Sequence, residues 1–320
     1  MTRHSVSHDV LIIGGGAAGL SAALVLGRAR RQVAVVDAGQ PRNAPASHMH
    51  GFLSRDGMPP AELLARGRAE ISAYGVKLID DRVVGTDPGF VADLAGGQRV
   101  RARRVLIATG SRDVLPEIAG VAERWGRDLL HCPYCHGWEV RDQPLAVLGT
   151  TSGSVVHALL VRQWSDDVIF FAHTLEPAAD ELAQLQSRGV QLVRGEVARL
   201  VVENDQLTGV EMTDGRVIPR AAAFIRPENH PRPDGVLAGL GCTVDDAGFV
   251  IVDATGRTSV PGVWAAGNVV DPRFQVITSA GQGSVAAIAI NADLVRDDVE
   301  RAVDDALAGG LPSHGRADTP

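Results

Sequence analysis

The apolar positions at the start of the chain fall into two short runs, separated by glycines and an amphipathic stretch. Residues 10–13 are continuously apolar, as expected for a parallel strand buried on both faces. Glycine-rich residues 14–19 follow at once, the pattern of residues 20–29 predicts a helix, and residues 33–36 predict a second strand. This order of strand, glycine turn, helix and strand predicts a βαβ unit.

A second stretch of the same design begins near the middle of the chain. An apolar strand is predicted over residues 144–149, a loop over residues 149–154, a helix over residues 155–164 and another strand over residues 168–171. The two units form a weak internal repeat. The chain is therefore predicted to be an α/β protein with two nucleotide-binding units.

The remaining apolar segments predict further helices and strands. These are helices at 60–74 and 282–291 and strands at 76–90, 105–110, 190–196, 200–213, 249–252 and 263–268. Residues 41–58 are instead polar and irregular, with His48 and His50 among them. Such a segment either lies along a cofactor or is an ordinary loop, and the pattern does not decide between the two.

Composition narrows the classes of function. The formal net charge is -7 and no basic patch is interleaved with aromatic residues, so nucleic-acid binding is not expected. No apolar run is long enough to span a bilayer, and residues 1–9 lack the apolar core of an export signal. We therefore expect a cytoplasmic location and no membrane association. Three cysteines in 320 residues do not make a disulfide framework.

The first glycine turn has the spacing of a dinucleotide-binding fingerprint. Gly14, Gly16 and Gly19 allow a tight turn and a close approach of the backbone to a pyrophosphate, whose charge the next helix N-terminus stabilises. Asp37 ends the second strand and can accept a hydrogen bond from a ribose hydroxyl. A unit of this kind at the start of the chain suits the adenine half of FAD. A glycine turn without a ligand is the alternative.

Two of the three cysteines form a Cys-x-x-Cys pair flanked by histidines. Cys132 and Cys135 can close a small disulfide ring and be reduced again, and a nearby cation lowers the pKa of such thiols. His131 and His136 stand next to the pair, and a histidine accepts a proton near physiological pH. The stretch predicts a redox site with Cys132, Cys135 and His136 as its catalytic residues.

Three other interpretations of this stretch stay open. Residues 132–136 match the attachment pattern of c-type haem, which requires an exported protein. Two cysteines and two histidines could hold zinc, but ligands so close in sequence do not easily converge on one tetrahedron, and no metal is expected. The third interpretation is a pair of buried, inert thiols.

With these motifs in order, the chain resembles the low-molecular-weight thioredoxin reductases and their relatives among the pyridine nucleotide–disulfide oxidoreductases. The blocks that carry the resemblance are residues 14–19, 108–110, 132–135, 265–268 and 275–278. The resemblance implies an α/β fold with two doubly wound, Rossmann-like dinucleotide-binding domains, the second inserted in the first. The FAD-binding domain would comprise residues 1–117 and 243–320. The inserted NAD(P)-type domain, residues 118–242, would carry the dithiol.

The resemblance also implies roles for single residues. Cys135 would face the flavin, and Cys132 would exchange with the substrate disulfide. Electrons would pass from NADPH to FAD, then to the dithiol, then to a protein disulfide, in a homodimer. The residues implied to bind FAD are Gly14, Gly16, Ala17, Gly19, Asp37, Ala108, Thr109, Gly110, Gly267, Asn268, Gln275, Val276 and Ile277.

Several positions depart from the family's pattern. His136 stands where an aspartate usually follows the second cysteine, and Asn268 stands where the turn at the FAD usually ends in aspartate. In the second loop, Thr151 replaces the middle glycine and Ser154 takes the last small position, while residues 173–174 replace an arginine pair that would hold a 2′-phosphate. A side chain at Thr151 obstructs the approach of backbone to pyrophosphate, and the lost cations remove charge-assisted contacts. We therefore expect a weakened NADPH site.

These residues predict an FAD-dependent thiol–disulfide oxidoreductase. In its departures the chain resembles the FAD-dependent dithiol oxidases of small metabolites, which keep FAD and Cys-x-x-Cys but run toward oxygen without NADPH. The partner would be a small-molecule dithiol or disulfide, or a thioredoxin-like protein. One alternative is an ordinary NADPH-dependent thioredoxin reductase, in which Arg162 or Arg188 compensates for the missing cations. The other is a non-catalytic flavin-binding redox sensor, against which the intact cysteine pair argues.

Overall fold

Two mainly parallel sheets organise the chain in the computed structural model, which describes residues 6–232 and 235–308. The strands are β1 (Val6–Ile13), β2 (Val33–Asp37), β3 (Lys77–Asp80), β4 (Val83–Thr86), β5 (Val91–Leu94), β6 (Arg99–Ile107), β7 (Ser111–Val114), β8 (Leu129–Leu130), β9 (Leu145–Leu148), β10 (Val168–Phe171), β11 (Gln191–Val193), β12 (Val197–Glu203), β13 (Gln206–Met212), β14 (Val217–Pro219), β15 (Ala222–Ile225), β16 (Glu228–Pro231) and β17 (Val263–Ala265). The helices are α1 (Ala17–Arg28), α2 (Pro60–Ser72), α3 (Val121–Arg124), α4 (Pro133–His136), α5 (Ser154–Val161), α6 (Ala179–Ser187), α7 (Val236–Leu240) and α8 (Val276–Ala308).

The first sheet has the strand order β3-β2-β1-β6, with parallel pairing throughout. The outer edge of β6 pairs with antiparallel β5 over its first residues and with parallel β17 over its last. Val10 and Ile12 pack toward α1 and α8, whereas Leu11 and Ile13 pack on the opposite face with α7. Burial on both faces explains why this strand is apolar at successive positions.

The second sheet is parallel in the order β11-β10-β9-β15-β8. Helix α5 covers one face, and the antiparallel strands β12, β13 and β14 cover the other. The α/β fold class is therefore confirmed, with two sheets of the dinucleotide-binding type.

Strands β7 and β16 pair with each other and lie, in sequence, where the chain leaves and returns to the first sheet. Arg42, from the irregular segment at residues 41–58, connects that segment to this strand pair. Its guanidinium donates to both Asp113 carboxylate oxygens and to the Asn229 side chain. The division of the chain after residue 117 and before residue 243 stays a prediction.

Some elements differ from the predicted ones. The strand predicted at 249–252 is an isolated bridge between Val244 and Val250, because the backbone N–H groups of Val250 and Ile251 donate to loop carbonyls rather than to a neighbouring strand. The strand predicted at 200–213 is divided into β12 and β13 by a turn at residues 204–205, where both residues have positive φ. The amphipathic helix α6 was not predicted.

Helix α8 is much longer than the predicted residues 282–291. Its small residues allow it to pack closely against α1, since a Cβ on Gly283 would overlap the Ala18 carbonyl. This close packing brings the start of α8 beside the glycine loop that precedes α1. No helix among the described residues combines the length and the apolarity needed to cross a membrane.

Candidate active site

A cavity of about 830 Å³ brings most of the predicted site residues together. It is lined by three groups that are far apart in sequence: the first glycine loop, the Cys-x-x-Cys turn and the segment before α8. The predicted residues on its wall are Gly14, Gly16, Ala17, Asp37, Ala108, Thr109, Gly110, Cys132, Cys135, His136, Gly267, Asn268, Gln275 and Val276. Gly19 and Ile277 do not line it.

The first glycine loop has the shape that a pyrophosphate requires. Gly14 has a φ of 109°, and a Cβ there would overlap the Ala108 carbonyl. A Cβ on Gly16 would meet nothing within 4 Å, so the loop backbone borders open cavity at this point. Helix α1 begins at Ala17 with no side-chain cap, which leaves its N-terminal N–H groups for an anion. These features fit the diphosphate of FAD.

Gly19 contributes to this site without touching the cavity. A Cβ at Gly19 would overlap the Gly14 carbonyl, so the absence of a side chain allows α1 to lie close to the loop.

Asp37 is not a free carboxylate. Arg68 of α2 donates to its Oδ2 at 2.5 Å. The Arg68 side chain is 35% exposed and the Asp37 side chain is 14% exposed. A ribose hydroxyl would therefore donate to the other carboxylate oxygen, and this role of Asp37 stays a prediction. Arg68 was missed, because its position on a predicted helix says nothing about a partner 31 residues away.

The segment before α8 lines the cavity beside the glycine loop, since a Cβ on Gly267 would lie 3.1 Å from the Ala18 Cβ of α1. The Gly267 N–H donates to the Gln282 side chain at 2.9 Å. Asn268 uses its Nδ2 to donate to the carbonyls of Asp271 and Phe274, both at 2.9 Å. Because both amide hydrogens are used, its Oδ1 is what remains for a ligand, and it can only accept. Ile277 is 38% exposed and points away from this wall.

The Cys-x-x-Cys turn faces the same cavity. Cys132 and Cys135 are joined by a disulfide, with their Cα atoms 5.2 Å apart. Pro133 occupies the first position of α4, and the N–H groups of Cys135 and His136 both donate to the Cys132 carbonyl. Both sulfurs are therefore engaged with each other rather than with a metal or a haem. Among the described residues no cluster of His, Cys, Asp or Glu suits a metal ion.

His136 has the properties of a base that is neutral at physiological pH. Burial lowers the pKa of His136, the neighbouring Glu139 carboxylate raises it, and His50 and His48 lower it. Burial likewise lowers the pKa of His131, whose Nδ1 lies 3.2 Å from the Ile225 carbonyl. Both histidines line the cavity, but His131 is held by the backbone carbonyl, whereas the His136 ring makes no hydrogen bond among the described residues.

The second nucleotide loop is closed by its own residues. The N–H groups of Thr150 and Thr151 both donate to Ser154 Oγ, at 3.2 and 3.1 Å. Thr151 Oγ1 donates to the Arg226 carbonyl at 3.3 Å. The Arg226 guanidinium lies over Gly153, in the space that a Cβ there would occupy. Arg226 was not predicted, since it follows β15, far away in the sequence.

Arg162, one of the two arginines considered as compensation, is engaged by other groups. Arg162 is paired with Asp166 and donates to the carbonyls of Ser165 and Arg188. His173, at the position of the first missing arginine, accepts the Val197 N–H through its Nδ1 at 3.0 Å. Arg162 and His173 are thus both engaged in contacts within the protein.

A glycine loop suited to FAD, a disulfide in the same cavity and a second nucleotide fold define a flavin-dependent disulfide oxidoreductase. The chain belongs to the pyridine nucleotide-disulphide oxidoreductase family, which it matches over residues 8–284. It is an enzyme that acts on sulfur groups, and FAD is confirmed as its cofactor, with NAD(P)H as the second cofactor of thioredoxin reductase-type members.

Individual relatives agree with this assignment. The thioredoxin reductase sirT of Leptosphaeria maculans is 32% identical over 313 residues, which cover 88% of this chain and 93% of that protein. The crystal structure of HlmI superposes with a TM-score of 0.91 at 52% identity, covering 96% of this chain and 99% of HlmI. TrxB of Bacillus anthracis gives a TM-score of 0.86 at 34% identity, covering 91% and 99% of the two chains.

Proposed function

We propose that this chain is an FAD-dependent dithiol oxidase that closes a disulfide in a small molecule. Electrons would enter from the substrate dithiol and leave to oxygen, without NADPH. The observation that supports this is the contrast within the molecule: the dithiol and the FAD loop share an open cavity, whereas the second nucleotide loop is closed by Ser154 and Arg226.

The cysteine pair would carry the exchange. A substrate thiolate attacks Cys132 Sγ, the Cys132–Cys135 bond breaks and Cys135 leaves as a thiolate. The second substrate thiol then attacks the mixed disulfide, so that the substrate loses two electrons and the cysteine pair gains them. Bound FAD would supply the two-electron acceptor that restores the cysteine disulfide.

His136 would move the protons. It lies directly after Cys135, and its lowered pKa keeps it neutral and able to accept a thiol proton at physiological pH. Replacement by Ala should slow the thiol–disulfide step by roughly 10²–10⁴-fold, the usual contribution of an acid–base residue.

An ordinary thioredoxin reductase is the second candidate. Relatives such as sirT of Leptosphaeria maculans and the protein of Listeria monocytogenes are named thioredoxin reductases, and the whole fold is retained. In that case a thioredoxin-like protein would be the partner. A flavin-binding protein that keeps the fold only as a scaffold is disfavoured, because a scaffold has no need of a reducible pair in its cofactor cavity.

Anaerobic rapid mixing separates these functions. We expect small dithiols to bleach the flavin of the purified protein, NADPH and NADH to bleach it slowly or not at all, and hydrogen peroxide to form when air is readmitted. Cys135→Ser should keep FAD and lose turnover. Rapid, saturable bleaching by micromolar NADPH would support the ordinary reductase instead. No bleaching by either reductant would support the sensor.

The assembly and the location also remain proposals. A homodimer is supported by an apolar stripe along α8, formed by residues that are each 47% exposed or more: Val285, Ile288, Val295, Val299 and Val303. Sedimentation of the wild-type protein and of Val295→Asp would test it. A cytoplasmic location, and the domain division at residues 118 and 243, are kept on the strength of the sequence alone.

A further inference from the structure

Two histidines reach the dithiol from a segment outside both nucleotide-binding loops. Residues 41–58 form no helix or strand, yet His48 and His50 line the cavity with His136. The ring centroids of His50 and His136 are 6.4 Å apart in an edge-to-face arrangement. A second imidazole therefore lies next to the base that would take the thiol proton.

His50 is held between two carboxylates. Its Nδ1 lies 3.4 Å from Asp56 Oδ2, and its Nε2 lies 3.4 Å from Glu139 Oε1. The Gly51 N–H donates to the other Asp56 oxygen at 2.9 Å and fixes that carboxylate. The His50 side chain is 21% exposed, whereas Asp56 and Glu139 are 69% and 43% exposed. His50 thus connects the cavity to two groups in contact with solvent.

His136 has no such connection of its own. Within residues 6–232 and 235–308 its side chain makes no hydrogen bond, and the charged or titratable groups that face it are Glu139, His50 and His48. Oxidation of one dithiol gives up two protons together with two electrons, and any proton that the reduced flavin does not take up must leave the site. A half-buried base that has taken the first must lose it before it can take the second.

We propose that His50 relays the proton of His136 to solvent, past the exposed carboxylates of Glu139 and Asp56. As the substrate sulfur bonds to Cys132 Sγ and the Cys132–Cys135 bond breaks, the thiol proton passes to His136. It then moves to His50, directly after a small ring rotation or through one bridging water, and leaves to solvent at the exposed edge beside the two carboxylates. No electron moves in this transfer. The inference rests on the proposed role of His136 in disulfide exchange.

The test is the rate at which dithiothreitol reduces the FAD-loaded protein without oxygen, measured by flavin bleaching at several pH values and buffer concentrations. His50→Gln should slow this rate on the order of tenfold in dilute buffer, because the proton must then leave by way of buffer molecules. Concentrated buffer, or added imidazole with His50→Ala, should restore it. The wild-type rate should not depend on buffer concentration.

Two sets of variants guard the interpretation. His230→Gln removes a similar exposed pair, since His230 Nε2 lies 3.6 Å from Glu228 away from the cavity, and it should leave the rate unchanged. Glu139→Gln with Asp56→Asn alters only exposed carboxylates and should reproduce the buffer dependence of His50→Gln. If His50→Gln and this double variant match the wild type in every buffer while His136→Ala is slow, the relay is wrong. If His136→Ala is itself unimpaired, the role of His136 fails, and the relay with it.

Discussion

The loops at residues 14–19 and 149–154 each join a parallel strand to a helix, and they differ in what occupies the space beside them. In the first loop a Cβ on Gly16 would meet nothing, and the loop borders a large cavity. In the second loop, Ser154 Oγ accepts hydrogen bonds from the backbone N–H groups of Thr150 and Thr151, and the Arg226 guanidinium lies over Gly153. The same local topology therefore borders open cavity in one copy, whereas in the other the loop N–H groups are bonded internally.

The difference illustrates how small a change would be enough to remove a phosphate site, as we propose for the second loop. Backbone N–H groups at a helix N-terminus bind anions only while no internal acceptor takes them. In the first unit Gly19 stands at the third fingerprint position and offers no acceptor, whereas Ser154 at the matching position supplies a hydroxyl. Fold retention alone therefore does not imply that both cofactors of the family bind.

The largest effect should follow from making the first loop like the second. Gly16→Thr places a side chain where backbone must approach the diphosphate, and overpacking of about 3 kcal/mol corresponds to about two decades of FAD affinity. Fluorescence titration of the apoprotein with FAD measures this loss. Gly153→Ala is the matched control, because its Cβ would displace only the flexible end of Arg226. A Gly16→Thr protein that purifies with a full complement of FAD contradicts the assignment of this loop.

The converse change should open the second loop. Thr151→Gly with Ser154→Ala frees two N–H groups that are now internally bonded. At about 1 kcal/mol each, they should improve NADH binding by roughly 1.5 decades. NADH is the better probe, because the missing cations matter for the 2′-phosphate of NADPH. The measurement is the NADH concentration dependence of anaerobic flavin bleaching, and an unchanged dependence would show that another feature blocks the site.

A buried histidine in the second βαβ unit should make the folding stability of the protein fall at acidic pH. His157 of α5 is 7% exposed, at a position where α1 has the fully buried Ala22. Its ring nitrogens make no well-formed hydrogen bond, although the His131 backbone lies close enough to offset part of the effect of burial. Burial first, and then His131, lower the pKa of His157 to about 4.

Because the unfolded chain binds this proton more readily, stability is full above pH 6.5 and falls as the pH drops toward 4. At about pH 5.5 the loss should be about 1.4 kcal/mol relative to neutral pH. Thermal unfolding of the wild type and His157→Leu at both pH values checks this. Only the pH dependence is compared, since the substitution also changes packing. Equal pH dependence in the two proteins would mean that His157 is not buried neutral.

Sequence patterns predicted the parts of the fold and of the site whose residues are close together in the chain. The first βαβ unit, the glycine loop, the cysteine pair and the altered second loop all lie within short windows whose backbone geometry the residue types dictate. The prediction of a strand at residues 249–252 was wrong, because an apolar run does not reveal whether a neighbouring strand is present to pair with it.

The residues that sequence could not place act across long separations. Arg68 pairs with Asp37, and Arg226 covers Gly153, but neither has a periodic or spacing signal that points to its partner. His50 was visible as a polar residue in an irregular segment, yet only the fold brings it beside His136. Such contacts depend on how two sheets and their connecting loops pack together, which no local pattern encodes.

The smallest effect on NADH-dependent flavin bleaching should come from replacing Arg226 alone. This substitution separates the contribution of the arginine from that of the loop hydrogen bonds. Its guanidinium covers Gly153, but the residue is exposed, makes no ion pair within residues 6–232 and 235–308, and can swing aside for a ligand. The N–H groups taken by Ser154, in contrast, are held by the backbone of the loop itself. Arg226→Ala should therefore change NADH-dependent bleaching by no more than about twofold, as exposed substitutions usually do. A rise comparable to that of the Thr151 and Ser154 pair would identify the arginine, and not the serine hydroxyl, as the group that closes the second site.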